Sequence, residues 1–177
     1  MKPDHVTDLP EESESRQYLS FRLGDEEYAV DILRVREIRV WEAPTPIPRT
    51  AAFIKGVINL RGTVVPVIDL RERFGLPALP YGPRTVMIVL AVSVEARERV
   101  MALVVEAVAD VHRVSSQQIQ PAPDLGGAIG VEYVTGLATV GERMIVLIDS
   151  DRLLDLEEIY AVDALERETA NEGVSAR

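Results

Sequence analysis

No cysteine occurs in the chain, which excludes disulfides, thiolate metal sites and a cysteine nucleophile. Histidine occurs only at positions 5 and 112, so a metal site built from several histidines is excluded as well. The only lysines are Lys2 and Lys55, and neither follows a glycine-rich loop of the kind that binds nucleotide phosphates. The motifs of serine hydrolases and zinc proteases are also missing. We therefore expect no enzymatic activity and no cofactor.

Positive charge is scarce, since 19 lysines and arginines stand against 29 acidic residues for a net charge of −10. Residues 1–15 carry one lysine against five acids, and residues 155–177 carry two arginines against seven acids. The segment between these ends is nearly neutral, at −1. The excess of acid argues against nucleic acid as a partner, and aromatic residues, at 5%, are too few for a base-stacking surface.

Long apolar runs are missing too. The longest uncharged one, residues 85–94, has about half of the ~20 residues that a membrane-spanning helix requires. The N-terminus is acidic and lacks the apolar region of a secretion signal. We expect a cytoplasmic protein without direct membrane insertion.

The pattern that is present, in a chain that is 47% hydrophobic, is typical of β-strands. Apolar and polar residues alternate from residue 18 to residue 23, and β-branched runs follow, at residues 63–69, 85–92, 100–108 and 143–149. Pro66 predicts that its strand lies at a sheet edge or that it sits in a bulge. Helix is expected only as one turn at residues 70–74 and as a terminal helix capped by Ser150 or Asp151.

The chain also repeats itself. Residues 29–38 match residues 102–111, and residues 56–69 match residues 136–149 without a gap. The repeat predicts two small β-barrels that share an apolar interface, because ~65 residues each is marginal for independent folding. Chance similarity between apolar strands is the alternative. Asp69 and Asp149 end the two matched segments, and we expect each to cap the turn after it rather than to form a carboxylate pair.

Longer motifs in both halves point to one family. They occupy residues 30–38, 44–48, 53–62, 65–70, 103–108, 119–123, 133–137 and 143–148. These motifs resemble the CheW family, the coupling proteins of bacterial chemotaxis, and the resemblance covers roughly residues 16–157.

The resemblance implies a mainly β fold of two SH3-like five-stranded β-barrels packed together, with short helices and a C-terminal helix. On this basis residues 1–15 are a flexible acidic lead and residues 16–157 are the CheW-like domain, with two intertwined barrels and an internal repeat. Residues 158–177 are a helical and then disordered acidic tail.

The resemblance further implies a non-enzymatic adaptor. Such proteins couple the cytoplasmic tips of chemoreceptors, the methyl-accepting chemotaxis proteins, to the regulatory domain of the histidine kinase CheA. The adaptor is then recruited from the cytoplasm to membrane-associated receptor arrays. A CheW-like module that regulates a CheA-type kinase outside chemotaxis is the alternative.

Binding residues are carried over by position. The receptor-binding set is Val35, Glu37, Ile38, Phe53, Ile54, Gly56, Val57, Asn59, Arg61 and Val86. Thr85 and Met87 are expected to border the same groove. An ion pair between Glu37 and Arg61 is expected to orient the loop between two apolar strands. The kinase-binding set, Trp41, Pro44 and Pro46, is expected on the opposite face of the barrel.

Overall fold

The computed structural model describes residues 14–122 and 131–153, and these are mostly strand. The strands are β1 (Ser15–Leu23), β2 (Glu26–Asp31), β3 (Val35–Val40), β4 (Ile54–Leu60), β5 (Thr63–Asp69), β6 (Val86–Val94), β7 (Arg97–Val105), β8 (Ala107–Ser115), β9 (Ile119–Gln120), β10 (Val134–Val140) and β11 (Arg143–Ile148). One short helix, α1 (Leu70–Arg73), follows β5. Single 3₁₀ turns lie at Ile32–Arg34, Ser116–Gln118, Val131–Tyr133 and Ser150–Arg152.

The strands form two sheets. One has five strands in the order β3-β6-β7-β5-β4, and the other has six in the order β8-β1-β2-β11-β10-β9. Each sheet contains one parallel pair, β5 with β7 in the first and β11 with β2 in the second, and its other pairs are antiparallel.

Both sheets close on themselves. In the six-stranded sheet, β8 and β9 belong to one continuous stretch of chain, yet they occupy the two opposite edges. In the five-stranded sheet, the chain leaves β3 at one edge and Thr45 then bridges Val57 of β4 at the other edge. The predicted pair of five-stranded barrels is therefore confirmed, with β8 and β9 counted as one interrupted strand. We call β1, β2 and β8–β11 barrel A, and β3–β7 barrel B.

The barrels do not coincide with the sequence repeats. The first repeat spans β1–β5 and the second spans β6–β11. Hairpin β1–β2 of the first repeat belongs to barrel A, however, and hairpin β6–β7 of the second repeat belongs to barrel B. The registers agree across the repeats: Val67 pairs with Ala102 in barrel B, and Leu147 pairs with Ala29 in barrel A. The two halves are thus related by a pseudo-two-fold axis with exchanged hairpins.

The largest apolar cluster lies between the barrels, as a shared interface requires. It includes Phe21, Tyr28 and Phe74, all almost fully buried, and it draws residues from both sheets. Two smaller clusters fill the barrel interiors. Strand β6 contributes Met87 and Val89 to the interior of barrel B and Ile88 and Leu90 to the shared cluster, which explains its unbroken apolar run.

Two local expectations need correction. Strand β5 lies inside its sheet, so the edge position predicted from Pro66 is wrong. Pro66 is tolerated there because Val57, opposite it, bonds to Thr45 instead, and because the ladder with β7 begins one residue later at Val67. The run at residues 100–108 is also interrupted, since β7 ends at Val105 and β8 starts at Ala107.

Beyond β11 the chain makes a turn at Ser150–Arg152 that is capped by the side chain of Asp149, which accepts a hydrogen bond from the Asp151 nitrogen. Asp69 caps α1 in the same way, through the Glu72 nitrogen, so the capping role predicted for both aspartates is confirmed. The predicted terminal helix, whose cap was expected at Ser150 or Asp151, depends on residues beyond Leu153, which lie outside the described residues.

Candidate docking surface on barrel B

Strand β3 presents two chemically different faces. Ile38 and Val40 point outward and are 49% and 69% exposed. Glu37 and Arg39 are opposite Val89 and Met87 of β6, and they therefore face the interior side of barrel B. A β-bulge between Val35 and Glu37 reverses the usual alternation, so that Val35 packs against the shared cluster instead.

A chain of charged groups crosses the end of barrel B. The Glu37 carboxylate pairs with Arg61 Nη2 at 2.9 Å through Oε2 and with Arg39 Nη1 at 3.0 Å through Oε1. Arg39 Nη2 lies 3.5 Å from Glu42 Oε2. Glu42, Arg39, Glu37 and Arg61 are thus linked in one series of ion pairs. Hydrogen bonds from Arg39 and then Arg61 hold the pKa of Glu37 below its usual range, so Glu37 is ionised at neutral pH.

Arg61 is displayed by a tight turn between β4 and β5. Its φ is +50°, and the Asn59 side chain accepts a hydrogen bond from the Gly62 nitrogen at 2.8 Å across the turn. The Arg61 side chain is 79% exposed, in contrast to the 23% of Glu37. The predicted ion pair between Glu37 and Arg61 is present, with the arginine outermost.

The segment that leads into β4 is fastened from several sides. The Phe53 carbonyl accepts a hydrogen bond from the Asp69 nitrogen at 2.8 Å, and Lys55 pairs with Glu72 of α1. The Arg73 guanidinium lies 4.4 Å from the centre of the Phe53 ring and 4.9 Å from that of Tyr133, the residue equivalent to Phe53 in the second repeat. The segment is therefore preorganised next to the pseudo-two-fold axis.

Several of the predicted receptor-binding residues are not on the surface. Ile54 and Gly56 are buried, and Met87 is fully buried inside barrel B, so the expectation that Met87 borders an open groove is wrong. Val57 and Val86 are half-buried. Val86 is directly opposite the exposed Val40, so the two side chains lie side by side on the same face of the sheet.

The predicted kinase-binding residues lie on the same barrel. Trp41 stacks on Tyr81 with ring centres 3.9 Å apart, and the Tyr81 hydroxyl donates to Asp69 Oδ2 at 2.6 Å. Thr45, between the two prolines Pro44 and Pro46, exchanges two backbone hydrogen bonds of 2.9 Å with Val57. The two predicted sets therefore meet at this bridge, a closer arrangement than the opposite faces that we expected.

Barrel A presents different chemistry at the equivalent place. Asp110, Val111 and His112 correspond to Glu37, Ile38 and Arg39, and a glycine, Gly141, corresponds to Arg61. His112 is buried, and its Nε2 lies 3.2 Å from Glu27 Oε1. Asp110 accepts a hydrogen bond from the Val111 nitrogen next to it. The two barrels thus have the same backbone arrangement but present different charges.

Sequence reasoning missed three members of this surface: Arg39, Glu42 and Tyr81. Arg39 carried a usable signal, because residues two apart on a strand share a face and Glu37 was already selected. No such signal links Tyr81 to Trp41, since their stacking depends on how two loops meet.

Within the described ranges, no group of three or more histidine, aspartate or glutamate side chains is arranged to hold a metal ion. No helix in that same part of the chain is long and apolar enough to cross a membrane. Two interlocked small barrels, with an exposed apolar strand beside an ordered set of charges, define a protein-interaction module.

Comparison with known proteins identifies the module. A model of the CheW-like domain matches residues 17–158, and the chain belongs to the CheW family. It is 45% identical to chemotaxis protein CheW of Klebsiella aerogenes over 158 residues, covering 89% of this chain and 93% of that protein. Chemotaxis protein CheW of Rhizobium meliloti is 41% identical over 143 residues, which cover 81% of this chain and 90% of that protein.

A solved structure agrees with the fold. The crystal structure of the scaffolding protein TtCheW from Thermoanaerobacter tengcongensis is similar to this chain with a TM-score of 0.72 and 31% identity. The likeness covers 82% of this chain and 96% of that one. The protein is accordingly a chemotaxis scaffold of the CheW type.

Proposed function

We propose that the protein is a non-enzymatic adaptor that couples chemoreceptors to the histidine kinase CheA. It holds the cytoplasmic tip of the receptor and the regulatory domain of the kinase together, in the cytoplasm at membrane-associated receptor arrays. The proposal is carried by the docking surface on barrel B, where the exposed β3 face lies beside the Arg61 guanidinium, which Glu37 holds through Nη2 while the side chain stays 79% exposed.

The receptor is assigned to the exposed part of that surface. Ile38 supplies apolar area, and Arg61 supplies a directional charge, the combination that anchors protein interfaces. Glu37 and Asn59 hold Arg61 in position, whereas the buried Ile54 and Gly56 support the surface from beneath. The remaining members are Val35, Phe53, Val57 and Val86.

The kinase is assigned to the segment after β3, at Trp41, Pro44 and Pro46. Pro46 is exposed, while Trp41 and Pro44 are half-buried, so a partner can reach the segment without unfolding it. The backbone bridge from Thr45 to Val57 connects this segment to the receptor surface. One adaptor can therefore present both surfaces from a single barrel.

Reconstitution tests the proposal. The purified protein is mixed with CheA and a receptor cytoplasmic fragment, and kinase autophosphorylation and co-sedimentation are measured. We expect kinase output to respond to the receptor only when the adaptor is present. If kinase output and co-sedimentation are the same with and without the protein, the proposal is wrong. Kinase binding without receptor binding would instead favour a role in another CheA-type pathway.

A further inference from the structure

Arg39 occupies an unusual position for a surface arginine. It lies on the inward face of β3, its side chain is 33% exposed, and its two terminal nitrogens reach Glu37 and Glu42. Its Nε atom is buried and has no hydrogen-bond partner within the described part of the chain. The orientation of the guanidinium is therefore set by the two carboxylates, one on either side.

The orientation of Arg39 also affects Arg61, through the carboxylate of Glu37. Glu37 uses one carboxylate oxygen for Arg39 and the other for Arg61, so the direction of the second oxygen depends on where Arg39 holds the first. Arg61 is far more exposed than Glu37 and would otherwise sample many rotamers. Fixing it before a partner arrives reduces the entropy lost on binding.

We propose that Arg39 is a positioning residue for receptor binding: it orients Glu37, Glu37 orients Arg61, and Arg61 makes the contact. The inference rests on the proposed receptor-binding role of barrel B. The equivalent face of barrel A is arranged differently: His112 replaces Arg39 there, and its partner is Glu27, a residue of β2, rather than the equivalent strand neighbour Asp110.

The test compares two arginines on the same strand. Arg39→Gln removes the support of Glu37, whereas Arg36→Gln removes an exposed ion pair to Glu98 at 3.1 Å on the other face of β3. Affinity for a receptor cytoplasmic fragment is measured by calorimetry with the full chain. We expect Arg39→Gln to weaken binding about two- to fivefold, the scale of one partly exposed ion pair, and Arg36→Gln to leave it unchanged.

A second measurement separates positioning from general stabilisation. If Arg39 acts through Arg61, Arg39→Gln has no further effect on binding in an Arg61→Ala background. An equal loss of affinity in both backgrounds would show that Arg39 acts independently of Arg61, and it would overturn the proposal.

The carboxyl group of Glu37 provides a direct readout by NMR titration. Because the hydrogen bond from Arg39 is the largest cause that lowers the pKa of Glu37, Arg39→Gln should raise this pKa towards the usual glutamate range. Arg36→Gln should leave it where it is. An unchanged Glu37 pKa in Arg39→Gln would show that Arg39 does not hold Glu37.

The outcomes also separate the inference from the function on which it rests. If Arg61→Ala binds the receptor fragment as tightly as the unaltered protein, the receptor assignment itself fails. If Arg61→Ala weakens binding and Arg39→Gln does not, only the positioning role fails. Arg39→Lys serves if Arg39→Gln folds poorly: it keeps the charge but cannot bridge two carboxylates with a rigid fork, so we expect a loss between those of Arg36→Gln and Arg39→Gln.

Discussion

At the scale of single residues, closure of barrel B depends on a glycine. Gly56 has a φ of +138°, and a Cβ atom there would overlap the carbonyl oxygen of Thr45, the residue that bridges to β4. Gly136 is its equivalent in barrel A, where a Cβ would lie 2.8 Å from the carbonyl oxygen of Gln120 in β9. Both glycines let the closing segment cross directly over the next strand.

We therefore expect Gly56→Ala to lower the free energy of unfolding by more than about 3 kcal/mol, because strain and a backbone overlap add. Gly75→Ala is the matched control, since Gly75 also has a positive φ, +75°, but no atom within 4 Å of its Cβ position. It should cost about 1–2 kcal/mol. Urea unfolding measures both, and equal losses would contradict a closure role for Gly56.

Glu27 in barrel A is a second residue with a measurable role. Burial by itself raises the pKa of Glu27, but hydrogen bonds from Ser20 and His112 and the charge of Arg143 outweigh it, so the pKa is lowered. A carboxyl group whose pKa is lower in the folded state than in the unfolded state stabilises the fold at pH values above its unfolded pKa. That contribution is lost as the pH falls through the folded pKa.

Removal of this carboxylate should thus have a pH-dependent effect. Glu27→Gln is expected to cost about 1–2 kcal/mol at neutral pH, and the difference from the unaltered protein should shrink as the pH falls below the usual glutamate value of 4.5. Urea unfolding across this range is the measurement. Glu98→Gln, which removes a carboxylate from an exposed pair, should have little effect both at neutral pH and below pH 4.5. A loss of stability in Glu27→Gln that stays the same in acid would contradict this account.

At the scale of elements, two ion pairs fasten the barrels together. Glu106, between β7 and β8, pairs with Arg71 of α1 at 2.7 Å and accepts the Gly24 nitrogen of the β1–β2 turn at 3.0 Å. In the other repeat, Asp151 pairs with Arg34 at 2.9 Å and accepts the Ser93 nitrogen at 2.8 Å. Asp151 is equivalent to Arg71, so the charge at this place is positive in the first repeat and negative in the second.

The pair between Arg71 and Glu106 should be the stronger of the two. Its side chains are 16% and 33% exposed, whereas those of Arg34 and Asp151 are 38% and 27% exposed, so solvent screens the second pair more. Double-mutant cycles to glutamine should give a coupling of about 1 kcal/mol for the first pair and less for the second. A larger coupling for Arg34 and Asp151 would show that exposure does not set the order.

At the scale of the whole molecule, the exchanged hairpins make the two repeats interdependent. Strands β1 and β2 complete a barrel whose other strands belong to the second repeat, and β6 and β7 do the reverse. The shared apolar cluster is also the largest of the three, so most of the core forms only when both halves are present.

Separated halves should accordingly fail to fold alone. Fragments 1–83 and 84–177 are each expected to lack a cooperative unfolding transition as dilute monomers, whereas an equimolar mixture should recover the strand content and form a 1:1 complex. Circular dichroism and size-exclusion chromatography provide the measurements. A monomeric fragment that unfolds cooperatively would contradict the exchange, because each half would then close a barrel by itself.

Much of the fold was predictable from local patterns. Alternation along β1 and the apolar runs of β5, β6 and β11 depend only on which faces a strand buries, and the match of residues 56–69 with 136–149 reproduces the same ladder twice. The ion pair between Glu37 and Arg61 was also predicted, although from family resemblance rather than from spacing. Strand β8 was missed because its exposed positions interrupt the apolar run.

The number of barrels, the family and the nearly neutral middle of the chain could all be predicted from composition, repeats and motifs. Which hairpin joins which barrel could not, and it became visible only in the folded molecule. A bulge at Val35 also turned Glu37 inward, and Arg39 came to support Glu37 while Met87 was buried. Pairing between distant strands depends on contacts that no local pattern records, because the same strand ladder can form with the hairpin of either repeat. Packing against the shared core then favours one of the two pairings.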